Sequence, residues 1–164
     1  MQKLIFPGSF DPITLGHLDI IKRAAKTFPY SNIIVAVAFN QDKKHFFSGE
    51  ERLSMIEKSI KEINLENVEV VIVEGIVSKY ILENDINIVI RSFRNNTDIE
   101  NERIIESFTK KTANVETIFF TTEPEHSTTS SSLVRLLVSS GFVEKIEDIV
   151  PTSVFKCLME NTCK

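Results

Sequence analysis

Apolar positions follow two rhythms along the chain. The runs KLIF (3–6), IIVAVAF (33–39), VEVVIV (68–73), INIVI (86–90) and ETIFF (116–120) are rich in β-branched and aromatic residues. Several are almost continuously apolar, as expected of strands covered on both faces. Between them the spacing changes to three and four. Leu18, Ile21, Ala25 and Phe28 form one stripe, and Leu53, Ile56, Ile60 and Ile63 another, which predicts two amphipathic helices. Ser48 stands three residues before Glu51, a capping box for the second helix; Thr14 caps the first, which puts His17 in its opening turn. Strands alternating with helices predict an α/β fold, a Rossmann-like doubly wound five-stranded parallel sheet ending in C-terminal helices, one domain over residues 1–164. Ligands of such sheets sit beyond the carboxyl ends of the strands.

Composition narrows the function only a little. A formal net charge of −4 argues against a nucleic-acid partner. IIVAVAF is too short to span a bilayer and MQKLIF lacks the apolar stretch of a signal peptide, so a cytoplasmic protein without a membrane partner is expected. Cys157 and Cys163 are the only cysteines, both in the apolar C-terminal segment, and read as buried thiols rather than a disulfide framework. His17, His45 and His126 are scattered, and no metal site is expected from them.

The chemistry concentrates where the first strand hands over to the first helix, in PGSFDPITLGH (7–17). Gly8 and Gly16 permit close backbone approach, and Asp11-Pro12 reads as a turn. The open amides and positive end of the helix favour an anion, with His17 and Ser9 as donors from either side. Read alone, these are equally turn residues and a polar surface histidine. Arg91 and Arg94 follow INIVI and Lys43 follows IIVAVAF, so all three are expected on the same rim. Guanidinium groups suit phosphate oxygens, whereas DKK (42–44) is equally a solvated charge run. TTSSSLVR (128–135) opens a helix with several hydroxyls, one of which is expected to be merely its cap.

Thr14-Leu15-Gly16-His17, preceded by GSFDP, resembles the signature of the HxGH/TxGH nucleotidyltransferases. Three more segments, NQDKKHFFSGEER (40–52), IRSFRNNTDIENE (90–102) and EHSTTSSSLVR (125–135), resemble phosphopantetheine adenylyltransferases in order and spacing. The resemblance implies transfer of an adenylyl group from ATP to 4′-phosphopantetheine, with Mg²⁺ accompanying ATP, in a homohexamer. It implies catalytic roles for His17, Lys43 and Arg91, with His17 stabilising the transition state. It also places ATP against Ser9, Phe10, His17, Ser92, Phe93, Arg94, Glu102, His126, Ser127, Thr128, Thr129, Ser130, Ser131 and Ser132. The acceptor falls to Ser9, Lys43, Val77 and Arg91, and more loosely to Ile76, Ile105 and Phe108, which read by themselves as core or pocket-wall residues. Five positions depart from the family pattern: Ser92 replaces a glycine, His126 an aromatic residue, Thr128 an apolar residue, His45 a proline and Thr109 an asparagine. Two other readings stay open: a related nucleotidyltransferase, such as one acting on nicotinamide mononucleotide, and a non-catalytic ATP-binding module.

Overall fold

The computed structural model describes residues 1–39 and 44–160. Five parallel strands form one sheet: β1 (Lys3–Gly8), β2 (Asn32–Phe39), β3 (Val68–Glu74), β4 (Ile88–Phe93) and β5 (Glu116–Thr121), in the order β3-β2-β1-β4-β5. The helices joining them are α1 (Leu15–Thr27), α2 (Gly49–Glu62), α3 (Val77–Glu83) and α4 (Asn96–Ala113), followed by α5 (Ser131–Ser139) and α6 (Thr152–Glu160). The chain winds outward from β1 through β2 to β3, then crosses back to β4. The direction of winding therefore reverses between β1 and β4, where an open α/β sheet leaves a crevice.

Alternation along the strands builds two cores. Leu4, Phe6, Ile33, Val35, Val37 and Ile90 face α1, α2, α5 and α6, while Ile5, Ile34, Ala36 and Val89 face α3 and α4. This explains the nearly unbroken apolar runs of β1 and β2: both faces are covered. Both expected caps form. The Glu51 amide donates to Ser48 Oγ at 3.1 Å and the Ser48 amide to Glu51 Oε2 at 2.7 Å.

Three expectations change. β4 runs two residues past Arg91, so Arg91 and Ser92 lie within the strand and only Arg94 follows it. The pairing of Arg91 with Phe119 and Ser92 with Phe120 on β5 prolongs the ladder beyond the apolar run. α2 packs the expected stripe of Leu53, Ile56, Ile60 and Ile63 on the core, but it also buries the polar Arg52 and Ser59. Cys157 is disulfide-bonded rather than a free buried thiol, and the only other cysteine, Cys163, lies outside the described residues.

Candidate active site

The β1–α1 loop is a rigid device. Phe10 stands at φ 45°, in the left-handed region, and tucks its buried ring back beneath β1. Gly8 makes room for it: a Cβ there would lie 2.8 Å from Phe10 Cζ. At Gly16 an added Cβ would meet His126 Cβ at 3.4 Å, an ordinary contact, so the steric demand is specific to Gly8. The Phe10 ring meets His17 edge-on, with centroids 5.2 Å apart and planes at 80°. His17 completes a capping box in place of the usual glutamate: the Thr14 amide donates to His17 Nδ1 at 3.2 Å, and Thr14 Oγ1 accepts from the His17 amide at 3.5 Å. With Nδ1 accepting, the proton of the neutral ring sits on Nε2, for which the described residues provide no partner. Burial, and then the charge of Arg94, lower the imidazole pKa to about 4, so the ring is a neutral donor at pH 7.

β4 supplies the cations. Val89 faces α4, so two residues on Arg91 faces α4 as well, and its Nη1 lies 3.3 Å from Glu102 Oε2. Arg91 Nε is buried without a partner among the described residues. Burial raises the Glu102 pKa, opposed by Arg91, and lowers that of Arg91, opposed by Glu102. Arg94 donates from Nε to Asp98 at 2.9 Å and from Nη1 to the Thr129 carbonyl at 3.2 Å, tying the end of β4 to the segment before α5.

The hydroxyls opening α5 divide their work. Ser130 is the cap, accepting from the Leu133 amide at 3.1 Å. Ser131 Oγ donates to the Pro12 carbonyl at 2.8 Å, fixing α5 to the β1–α1 loop. Ser132 Oγ accepts from Arg135 Nη2 at 3.1 Å, and Arg135 Nη1 reaches the Asp11 carbonyl at 2.6 Å. Ser130, Ser131 and Ser132 line the crevice at the N-terminus of α5, an arrangement suited to phosphate.

These groups line two adjoining chambers of about 300 Å³ each. One holds Arg94, Asp98, His126, Thr129, Arg135 and the serines at 130–132; the other holds Phe10 and Arg91. Ser9, His17, Ser92 and Glu102 line both. Residues 5–137 match the cytidylyltransferase-like family. The phosphopantetheine adenylyltransferase of Clostridium novyi is 41% identical over 165 residues, covering 100% of this chain and 99% of its own. The enzymes of the same name from Leuconostoc citreum and Flavobacterium johnsoniae are 39% and 40% identical, covering 98% and 94% of this chain and 98% and 97% of their own. The chain belongs to the phosphopantetheine adenylyltransferase family. Its fold is also similar to that of Thermotoga maritima TmcAL, solved with alpha-thio ATP, at a TM-score of 0.65 and 14% identity, over 98% of this chain and 56% of that one.

Against the residues that the family pattern implies, the crevice gathers Ser9, His17, Ser92, Phe93, Arg94, Glu102, His126, Thr129, Ser130, Ser131 and Ser132 in the first chamber and Ser9, Phe10, His17, Arg91, Ser92 and Glu102 in the second. Ser127 and Thr128 are exposed and line neither; Ser127 Oγ donates to the Pro124 carbonyl at 2.7 Å. Val77 starts α3, half-buried against the core under α3 and α4, also outside both chambers. Lys43 lies outside the described residues. Ile105 and Phe108 are not core residues, because α4 buries only Thr109 and Ala113 and leaves Phe108 55% exposed. The Thr109 hydroxyl bonds the Ile105 carbonyl at 2.8 Å and is spent within its own helix. His45 stacks on Phe39, 5.7 Å between centroids, with Nδ1 3.7 Å from Asp11 Oδ2. Sequence reasoning missed Arg135 and Asp98. A cation one turn beyond the serine run, and a carboxylate four residues after Arg94, were the signals available.

Proposed function

We propose that the protein catalyses reversible transfer of the adenylyl group of ATP to 4′-phosphopantetheine, giving 3′-dephospho-coenzyme A and pyrophosphate. The observation that carries this reading is the place of His17 at the junction of two chambers, its Nδ1 held by Thr14 and its Nε2 proton free to donate. ATP would occupy the chamber lined by Arg94, His126 and the serines that open α5, with the acceptor phosphate beside Ser9 and Arg91.

The acceptor phosphate is largely ionised near pH 7, its second pKa being about 6 as for phosphorylated side chains, so it attacks the α-phosphorus without a general base. Its oxygen forms the new bond as the bond to the β-phosphate oxygen breaks, and pyrophosphate departs. Catalysis then rests on alignment and on donors aimed at charge that builds during transfer. A neutral imidazole suits that task because it donates without first having to be protonated. The Arg91–Glu102 pair orients the guanidinium towards the second chamber, leaving its Nε donor unused among the described residues.

Magnesium enters with ATP as part of the substrate. Both carboxylates of the first chamber, Asp98 and Glu102, are engaged by arginines, and hard cations of this size commonly keep water and phosphate ligands in such sites. The reading includes a cytoplasmic homohexamer; no helix among the described residues is long and apolar enough to cross a membrane. An assay of pyrophosphate release with ATP and magnesium tests it. Turnover with 4′-phosphopantetheine, absent with nicotinamide mononucleotide and abolished by EDTA, is expected. ATP binding without turnover on either acceptor would instead favour a nucleotide-binding module.

A further inference from the structure

Arg52 is the largest fully buried side chain among the described residues, at 0% exposure in the first turn of α2. A guanidinium is seldom buried without a carboxylate, because the desolvation cost is high. Here no carboxylate oxygen of the described residues lies within ion-pair distance of it, and its nearest aromatic neighbour is Phe39, 5.5 Å from Cζ to ring centroid. Its Nη1 donates to the carbonyl of Ser9 at 2.7 Å and its Nε to the carbonyl of Ser48 at 3.2 Å. Nη2 is buried with no partner among the described residues. Burial lowers the guanidinium pKa, opposed by the more distant charges of Asp11 and Glu50.

The two carbonyls it joins belong to different loops. Ser9 stands between the two chambers and precedes Phe10, the residue at positive φ whose ring supports His17. Ser48 caps the helix that follows the lysine-bearing segment. Asp11 stitches the same two loops from the other side, its carboxylate accepting from the Phe46 and Phe47 amides at 3.0 and 2.9 Å. A buried guanidinium that, among the described residues, bonds only backbone carbonyls of these two loops has an arrangement explained better by loop geometry than by stability.

We propose that Arg52 is a positioning residue of the reaction: acting through the Ser9 carbonyl, it fixes the β1–α1 loop, and with it Ser9 and His17, against the loop that leads into α2. This rests on the adenylyl-transfer reading. Because the side chain is inaccessible, it acts without touching either substrate.

The test pairs Arg52→Met, which fills the site without charge, with Arg52→Lys, which keeps the charge and reaches fewer acceptors. Removing a buried guanidinium that has no carboxylate partner relieves its desolvation, which offsets the loss of its two hydrogen bonds to carbonyls. Arg52→Met is therefore expected to melt at or above the wild-type temperature while kcat falls at least tenfold and KM for ATP changes by less than threefold. Arg52→Lys should recover part of kcat. Amides of residues 9–11 and 13 should exchange with deuterium faster in Arg52→Met, with those in the second half of α2 unchanged. A wild-type kcat in Arg52→Met, unaltered exchange in the loop, or a melting temperature that falls in step with activity would each overturn the proposal. Absence of transfer by the wild-type protein would refute the functional reading instead, and the exchange and melting data would still decide the role of Arg52.

Discussion

At the scale of single residues, the site depends on an imidazole kept neutral and pointed. Thr14 fixes Nδ1, the Phe10 ring fixes the plane, and burial beside Arg94 keeps the added proton away. His17→Gln is expected to fold but to lose turnover by about 10²–10³, the typical cost of removing one preorganised donor; steady-state rates with saturating substrates check this. The same ring links stability to pH. Unfolded, it titrates at 6.5; folded, at about 4. Between those values the unfolded chain binds more protons, so the stability that the neutral ring contributes is complete above about pH 6.5 and is lost as pH falls towards 4. Urea titrations at pH 7.5 and 4.5 should show wild type losing on the order of 2 kcal/mol more than His17→Gln, less than the full shift implies because the ring is partly open to solvent. Equal losses in both proteins would mean that the imidazole titrates normally in the fold.

At the scale of elements, the β1–α1 loop shows what was legible in the chain and what was not. The strand, Thr14 as cap and His17 in the first turn follow from local pattern, because capping chemistry involves neighbours three residues apart. The reason for Gly8 does not, since the atom it avoids belongs to a ring folded back by a positive φ two residues later. Nor does the buried Arg52, whose periodicity reads as a polar interruption of an apolar stripe; its partner at Ser9 is 43 residues away. Arg91 was placed just beyond β4 because the apolar run stops at Ile90, yet the ladder with β5 continues through Phe93. Backbone pairing set the strand's end, and hydropathy alone could not. The steric account of Gly8 predicts that Gly8→Ala costs about 1–3 kcal/mol through overpacking, measured by chemical denaturation. The displaced Phe10 ring should also disturb His17 and lower kcat. Phe10→Leu in the same chain should recover part of the stability by removing the atoms met at 2.8 Å; a Gly8→Ala protein as stable as wild type would contradict this account.

At the scale of the whole molecule, the topology explains why residues so far apart in sequence meet. β1 and β4 are neighbours at the point where the winding reverses, so the loop after one and the last residues of the other share a rim, and α5 closes it through Ser131 and Pro12. α4 covers the sheet with few buried residues and leaves Ile104 70% exposed beside Phe108, with Leu82 of neighbouring α3 and its N-cap Ile76 also exposed. Apolar side chains clustered in this way commonly mark an interface. Sedimentation velocity tests the proposed hexamer, for which a species near six times the chain mass of 18.7 kDa is expected. Ile104→Asp, which would bury a carboxylate among apolar neighbours in the assembly, should shift it to smaller species. Because Ile104 lines neither chamber, the dissociated variant should still bind ATP with near wild-type affinity in calorimetry. A wild-type protein that sediments as a monomer at micromolar concentration would refute the assembly, and an Ile104→Asp protein that remains a hexamer would move the interface away from α4.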